Sequence, residues 1–103
     1  MRLNKVLSLV GLSMKAGKTV SGEFSTENAV KRGKAALVIV SAEASDNTKK
    51  KFQNMCTYYN VPVYFYGTKQ ELGLAVGKEF RASLAMLDAG FAKTVEKNLR
   101  NEE

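Results

Sequence analysis

The chain has 103 residues, 45% of them apolar, and a net charge of +6 from 16 Lys and Arg against 10 Asp and Glu. That length supports one compact domain over residues 1–103, burying somewhat more than about 60% of its unfolded surface, and leaves no room for a second. With no histidine and a lone Cys56, a histidine base, a histidine metal ligand, an internal disulfide and a thiolate metal site are all excluded.

Leu3, Val6, Leu7 and Val10 keep helical spacing, which predicts a first helix running to about Met14 and stopping in the segment Lys15 to Lys18. Arg2 and Lys5 ahead of Val6 to Leu12 faintly suggest a signal peptide. Ser8 and Gly11 interrupt the apolar part, however, and no small-residue cleavage site follows. No apolar run approaches the roughly 20 residues that cross a bilayer, and a cytoplasmic protein with no membrane partner is expected. Gly11 to Thr19 ends in Gly-Lys-Thr and tempts a phosphate-loop reading. That motif has four residues between its glycines where this chain has five, and it must follow a strand rather than a helix. Lys15 and Lys18 are therefore assigned to a basic surface.

Thr19 to Ser21 can form a very short strand, followed by a second helix over about 23–33 that ends at Gly33, a residue suited to a left-handed cap. The aliphatic run 36–41 predicts a strand covered on both faces. Ser45 or Asp46 can cap a third helix reaching Tyr59, with Asn60 as its stop. Phe52, Met55, Cys56 and Tyr59 recur at helical spacing, which places Cys56 in a buried stripe rather than in chemistry. Val61 to Tyr66 follows as a strand with Pro62 near its start. Thr68-Lys69-Gln70-Glu71 fits a capping box ahead of a short helix through Val76. Ser83 to Leu87 is the last strand, and Phe91, Val95 and Leu99 line a terminal helix whose tail, Asn101 to Glu103, is expected to fray.

Helices alternating with short buried strands predict an α/β protein, an α/β/α sandwich around a small, largely parallel or mixed sheet. Charge is unevenly placed along it. Residues 1–34 hold seven bases and two acids, a net of +5, and the rest of the chain nets +1; the excess reads as a patch for an anionic polymer. The patch coincides with Gly22, where a helix begins. A helix start presents free N–H groups and the positive end of a dipole, and a glycine there lets a phosphate or a base edge approach the main chain.

On that reading Ser25 and Asn28 offer neutral hydrogen-bonding groups to base edges, and Lys31, Arg32 and Lys34 contact phosphates. The loop Gly73 to Ala82 supplies Lys78, Phe80 and Arg81, two cations and an aromatic able to hold an unstacked base; it could lie beside Gly22. Its glycines equally fit tight packing of the short helix. Tyr58, Tyr59, Tyr64 and Tyr66 form an aromatic cluster that core packing or strand propensity explains. Lys49-Lys50-Lys51 reads as a solvated helix face outside the site.

Gly22, Ala29 to Ala35, Leu37 to Val40, Ala44-Ser45, Cys56, Val61-Pro62-Val63, Glu71-Leu72-Gly73, Gly77-Lys78-Glu79 and Ala89 to Lys93 together resemble the ribosomal protein L7Ae family, and within it the bacterial YlxQ branch, over nearly the whole chain. The resemblance implies a three-layer α/β/α sandwich with a small mixed four-stranded sheet. It implies binding of structured RNA, typically the kink-turn and including ribosomal RNA, with neither catalysis nor a cofactor. Carried over by position, the RNA-binding residues are Gly22, Glu23, Phe24, Ser25, Asn28, Lys31 and Arg32 on one side and Lys78, Glu79, Phe80 and Arg81 on the other. The family's kink-turn pattern runs Gly-x-Asn-Glu-x-x-Lys, and this chain has Phe24, Ser25 and Asn28 where that pattern has Asn, Glu and Lys. Phenylalanine cannot make the amide's hydrogen bonds, and Asn28 removes a cation; Phe24 either stacks on a base or staples the helix start.

The expectation is therefore a non-catalytic, ribosomal-protein-like RNA binder that uses neither DNA, metal nor cofactor. The alternative is a protein interaction module docking on a ribosomal or regulatory protein through the tyrosine-bearing side. For an enzyme, no nucleophile and base pair can be named.

Overall fold

The computed structural model describes residues 4–101; Arg2 and Leu3 of the basic patch and first helix, and the tail residues Glu102 and Glu103, lie outside it. Helices and strands alternate: α1 (Lys5–Lys15), β1 (Thr19–Ser21), α2 (Glu23–Lys31), β2 (Leu37–Val40), α3 (Asp46–Tyr59), β3 (Val63–Phe65), α4 (Lys69–Ala75), β4 (Ser83–Met86) and α5 (Ala89–Asn101). Local chemistry sets most of the boundaries. The Asn4 side chain accepts from the Leu7 N–H, Ser45 accepts from Thr48, and Asn60 closes α3 in a left-handed conformation. Thr68 and Glu71 form both halves of the capping box, at 3.0 and 2.9 Å.

The four strands make one open sheet in the order β1-β4-β2-β3. β4 runs antiparallel to both β1 and β2, and only β2 and β3 are parallel. Of the two sheet types left open by the sequence, the mixed one is thus present. The β1–α2 and β2–α3 units place the connecting helices on one face, but the last strand enters between β1 and β2 in the opposite sense.

Period-2 alternation divides β2 between two cores. Leu37 and Ile39 join Val6, Val10, Leu72, Leu84, Met86, Val95 and Leu99 under α1, α4 and α5. Val38 and Val40 join Val30, Phe52, Cys56 and Ala85 under α2 and α3. Each inward side chain of that size contributes about 1.5–3 kcal/mol on burial, so the central strands are the stiff base on which α2 sits. Pro62 precedes β3 at the sheet edge and serves as acceptor only, taking the Val38 N–H at 2.9 Å.

α1 is helical through Lys15, and Thr19 shares a 2.7 Å hydrogen bond with Ser13 inside the core. The Thr19 hydroxyl therefore belongs to packing, in keeping with rejection of a phosphate loop. The tyrosines depart from the sequence reading. Tyr58 and Tyr59 form an edge-to-face pair at the end of α3, and Tyr58 is 79% exposed. Tyr64 and Tyr66 instead pack toward α1 and α5, where Tyr64 donates to Glu96 and Tyr66 accepts from Asn4. Alternation on β3 and the α3 helical phase send the two pairs to different places, so they are not one cluster, and core packing does not account for Tyr58. No helix among the described residues is long and apolar enough to cross a membrane.

Candidate nucleic-acid interface

The chain leaves β1 and enters α2 across Gly22. Its N–H donates to the Ser83 carbonyl at 2.9 Å, continuing the β1–β4 ladder, while its own carbonyl accepts the first helical bond from Thr26 at 3.0 Å. Gly22 makes both bonds at φ +94° and ψ 158°, a conformation essentially restricted to glycine. As N-cap, Gly22 has no side chain to offer, so the N–H groups of Glu23, Phe24 and Ser25 have no partner among the described residues.

The loop before β4 is brought against this turn. Lys78 N–H donates to the Gly73 carbonyl at 2.7 Å and Arg81 N–H to the Lys69 carbonyl at 3.0 Å, which fastens residues 78–81 to α4. A Cβ on Gly73 would lie 2.6 Å from the Glu79 carbonyl oxygen, so the loop seats directly on the glycine. The Arg81 guanidinium then crosses to β1, where its Nε donates to Ser21 Oγ at 3.1 Å and its Nη1 to the Phe80 carbonyl at 2.9 Å. Its Nε lies 3.8 Å from where a Cβ of Gly22 would be. Two segments almost 60 positions apart in sequence are thus joined, with Phe24 and Phe80 both exposed beside the junction.

The predicted residues fall into three places. Gly22, Glu23, Phe24, Ser25 and Asn28 occupy the start of α2; Lys31, Arg32 and Lys34 lie at its end, about 14 Å away along the helix axis; Lys78, Glu79, Phe80 and Arg81 form the loop. α2 runs back alongside β1, so Arg32 and Lys34 share a depression with Val20 and Leu87, and Leu87 N–H bonds the Lys18 carbonyl. Lys18, Lys31, Arg32 and Lys34 accordingly form a strip along α2 and β1, while Lys5 and Lys15 sit on α1, which packs on the opposite face of the sheet; the positive charge expected to form one patch at Gly22 is thus divided between two faces.

Not every cation on the strip is free. Lys31 pairs with Glu27 at 2.7 Å, and Lys51 from α3 pairs with Glu23 and Glu27, both at 2.8 Å. Arg32, Lys34 and Lys78 have no ion-pair partner among the described residues. Lys51 is exposed, as a solvated face requires, but it also pairs with acids of α2, which the reading of the lysine run did not include. It directly precedes Phe52, whose side chain is fully buried, and one helical step, about 100°, from an inward position points a side chain along the neighbouring helix. That phase was visible in the sequence; the presence of α2 alongside was not.

The ammonium of Lys31, followed by that of Lys51, holds the Glu27 carboxyl down at about 2 against its ordinary 4.5. A carboxylate depressed in the folded state contributes stability that is complete above its unfolded value and is lost as pH falls toward the folded one. The melting temperature of Glu27→Gln is therefore expected to lie below that of the parent at neutral pH and to converge with it between about pH 4.5 and pH 2. A gap that stays constant across that window in thermal melts would reject the ion-pair account. Cys56, by contrast, is buried with its thiol pushed up to about 11 by desolvation, which leaves no thiolate for chemistry. Among the described residues no group of three or more acidic or cysteine side chains is placed to hold a metal ion.

Comparison with known proteins follows the same lines. Residues 4–96 match the family described as ribosomal protein L7Ae/L30e/S12e/Gadd45. RNA-binding protein YlxQ of Enterococcus faecium is 39% identical over 89 residues, covering 86% of this chain and 85% of that protein. The large ribosomal subunit protein eL30 of Neurospora crassa is 41% identical over 83 residues, covering 79% of this chain and 76% of that protein. A solved structure of a Bacillus halodurans protein of unknown function superposes with a TM-score of 0.90 at 38% identity, covering 93% of this chain and 97% of that one.

Proposed function

Given that this chain belongs to the ribosomal protein L7Ae/L30e/S12e/Gadd45 family, we propose that it is a single-domain, non-catalytic RNA-binding protein of the cytoplasm. Its ligand is structured RNA, with ribosomal RNA and kink-turns as the first substrates to try. The carrying observation is the junction at Gly22, where uncapped N–H groups of α2 and the loop 78–81 form one surface through Arg81. The names of the relatives, RNA-binding and ribosomal proteins, support the same reading.

Within the site the roles divide by chemistry. The free cations Arg32, Lys34 and Lys78 supply phosphate contacts, which give affinity and salt dependence without sequence preference. Ser25 and Asn28 supply neutral donors and acceptors, and Phe24 and Phe80 supply exposed ring faces. Lys31 is already engaged by Glu27, so its contribution is smaller than its neighbour's. The tyrosine-side docking alternative loses support because the four tyrosines do not share a surface.

A salt titration tests the proposal on two RNAs, a kink-turn and an unrelated stem-loop. Replacing Arg32 and Lys34 together by alanine is expected to weaken both complexes and to flatten the slope of log affinity against log salt by roughly 0.7 to 0.9 per cation removed. Lys31→Ala is expected to move the slope less. An unmodified protein that binds neither RNA at low salt refutes the function, and an unchanged slope in the double variant refutes the assignment of the strip.

A further inference from the structure

On the side of α2 facing α3 there is a second, open depression of about 470 Å³, lined by Glu23, Phe24, Glu27, Asn28 and Lys51. Its walls differ from those of the basic strip. The carboxylates of Glu23 and Glu27 are matched by the ammoniums of Lys51 and Lys31, so the local side-chain charge sums to zero. The strip on the other side of the same helix carries Arg32 and Lys34 with no acid beside them among the described residues.

Phe24 decides what the neutral depression takes. Its ring is 67% exposed, so it neither fills a core nor staples the helix start, and it stands as a bare apolar face over a polar floor. Planar heteroaromatic groups with hydrogen-bonding edges match that combination, whereas a bare phosphate does not. Asn28 lines both depressions, and its side-chain amide has no partner among the described residues, leaving a donor and an acceptor at the boundary between them.

Resting on the RNA-binding function above, we propose that the α2–α3 depression receives one unpaired nucleobase of the bound RNA, stacked on Phe24 with its edge against Asn28, while the backbone follows Arg32 and Lys34. The ion pairs of Lys51 form the floor of this pocket and keep its carboxylates from repelling the incoming strand. Phe24 then supplies affinity for unpaired positions at the place where the family's pattern has an asparagine.

The test uses three labelled two-strand RNA duplexes: one fully paired, one with an unpaired bulge, and one with the bulge residues made abasic. Phe24→Ala is expected to weaken binding of the bulged duplex roughly tenfold. Its effect on the paired duplex should be smaller, and Phe24→Trp should retain affinity. The abasic bulge should bind the parent and Phe24→Ala equally. Because the ring is exposed, the thermal melts of these variants should superimpose. A Phe24→Ala protein that binds the bulged duplex as tightly as the parent overturns the pocket while leaving RNA binding intact. Equal losses on the paired and bulged duplexes also overturn it. A parent protein that binds none of the three removes the RNA-binding function itself, and the pocket with it.

Discussion

Replacing Gly73 by alanine is expected to destabilise the fold by about 2 kcal/mol, in the range of overpacked interiors, and to lower RNA affinity at the same time. The added Cβ would meet the Glu79 carbonyl oxygen at 2.6 Å, the Glu79 carbonyl carbon at 2.7 Å and the Phe80 nitrogen at 2.8 Å. All three are backbone atoms, so no side chain can swing aside and the loop itself must lift. Gly73 lies inside α4, where helix propensity alone favours alanine by about 1 kcal/mol. The two effects have opposite signs, which makes the experiment decisive. Urea unfolding should show a lower midpoint with an unchanged slope, and an equal or higher midpoint would mean that the loop does not rest on α4 as described. Lifting the loop also moves Phe80 and Arg81 away from Ser21, which is why binding should fall with stability.

The second large effect is expected at Gly22, for a different reason. Around its would-be Cβ there is only the Arg81 side chain, at 3.8 and 4.0 Å, which is ordinary contact. Crowding therefore predicts a neutral Gly22→Ala substitution, whereas the backbone conformation predicts a cost of about 1–3 kcal/mol. A semisynthetic protein carrying D-alanine at position 22 separates the two. Mirror symmetry makes φ +94° comfortable for a D-residue, so the D-variant should melt close to the parent and the L-variant well below it. Equal melting temperatures for the two would sink the conformational explanation.

Much of the fold could be read in the sequence because its signals are local. The Thr68–Glu71 box, the Ser45 cap, the Asn60 stop and the continuous apolar run of β2 each act within a few residues, and each forms at the position read for it. What could not be read depends on partners distant along the chain. Nothing near Ser83 says that β4 will slot between β1 and β2 in the antiparallel sense, and the direction of pairing is set by how its connections cross the sheet. Lys51 resembles its neighbours Lys49 and Lys50 until α2 is placed beside it with Glu23 and Glu27. The tyrosines likewise look contiguous on paper and are separated by strand alternation and helix phase. At the proposed interface, residue types pointed to the same two segments, but the Arg81 bridge between them exists only in three dimensions.

The loop 78–81 is fastened to α4 at both ends and to β1 through a guanidinium. Its conformational entropy is therefore surrendered when the chain folds, not when a ligand arrives. A partner docking there meets a rigid ledge, loses little to loop ordering, and should associate with a small heat-capacity change beyond that of the surface it covers.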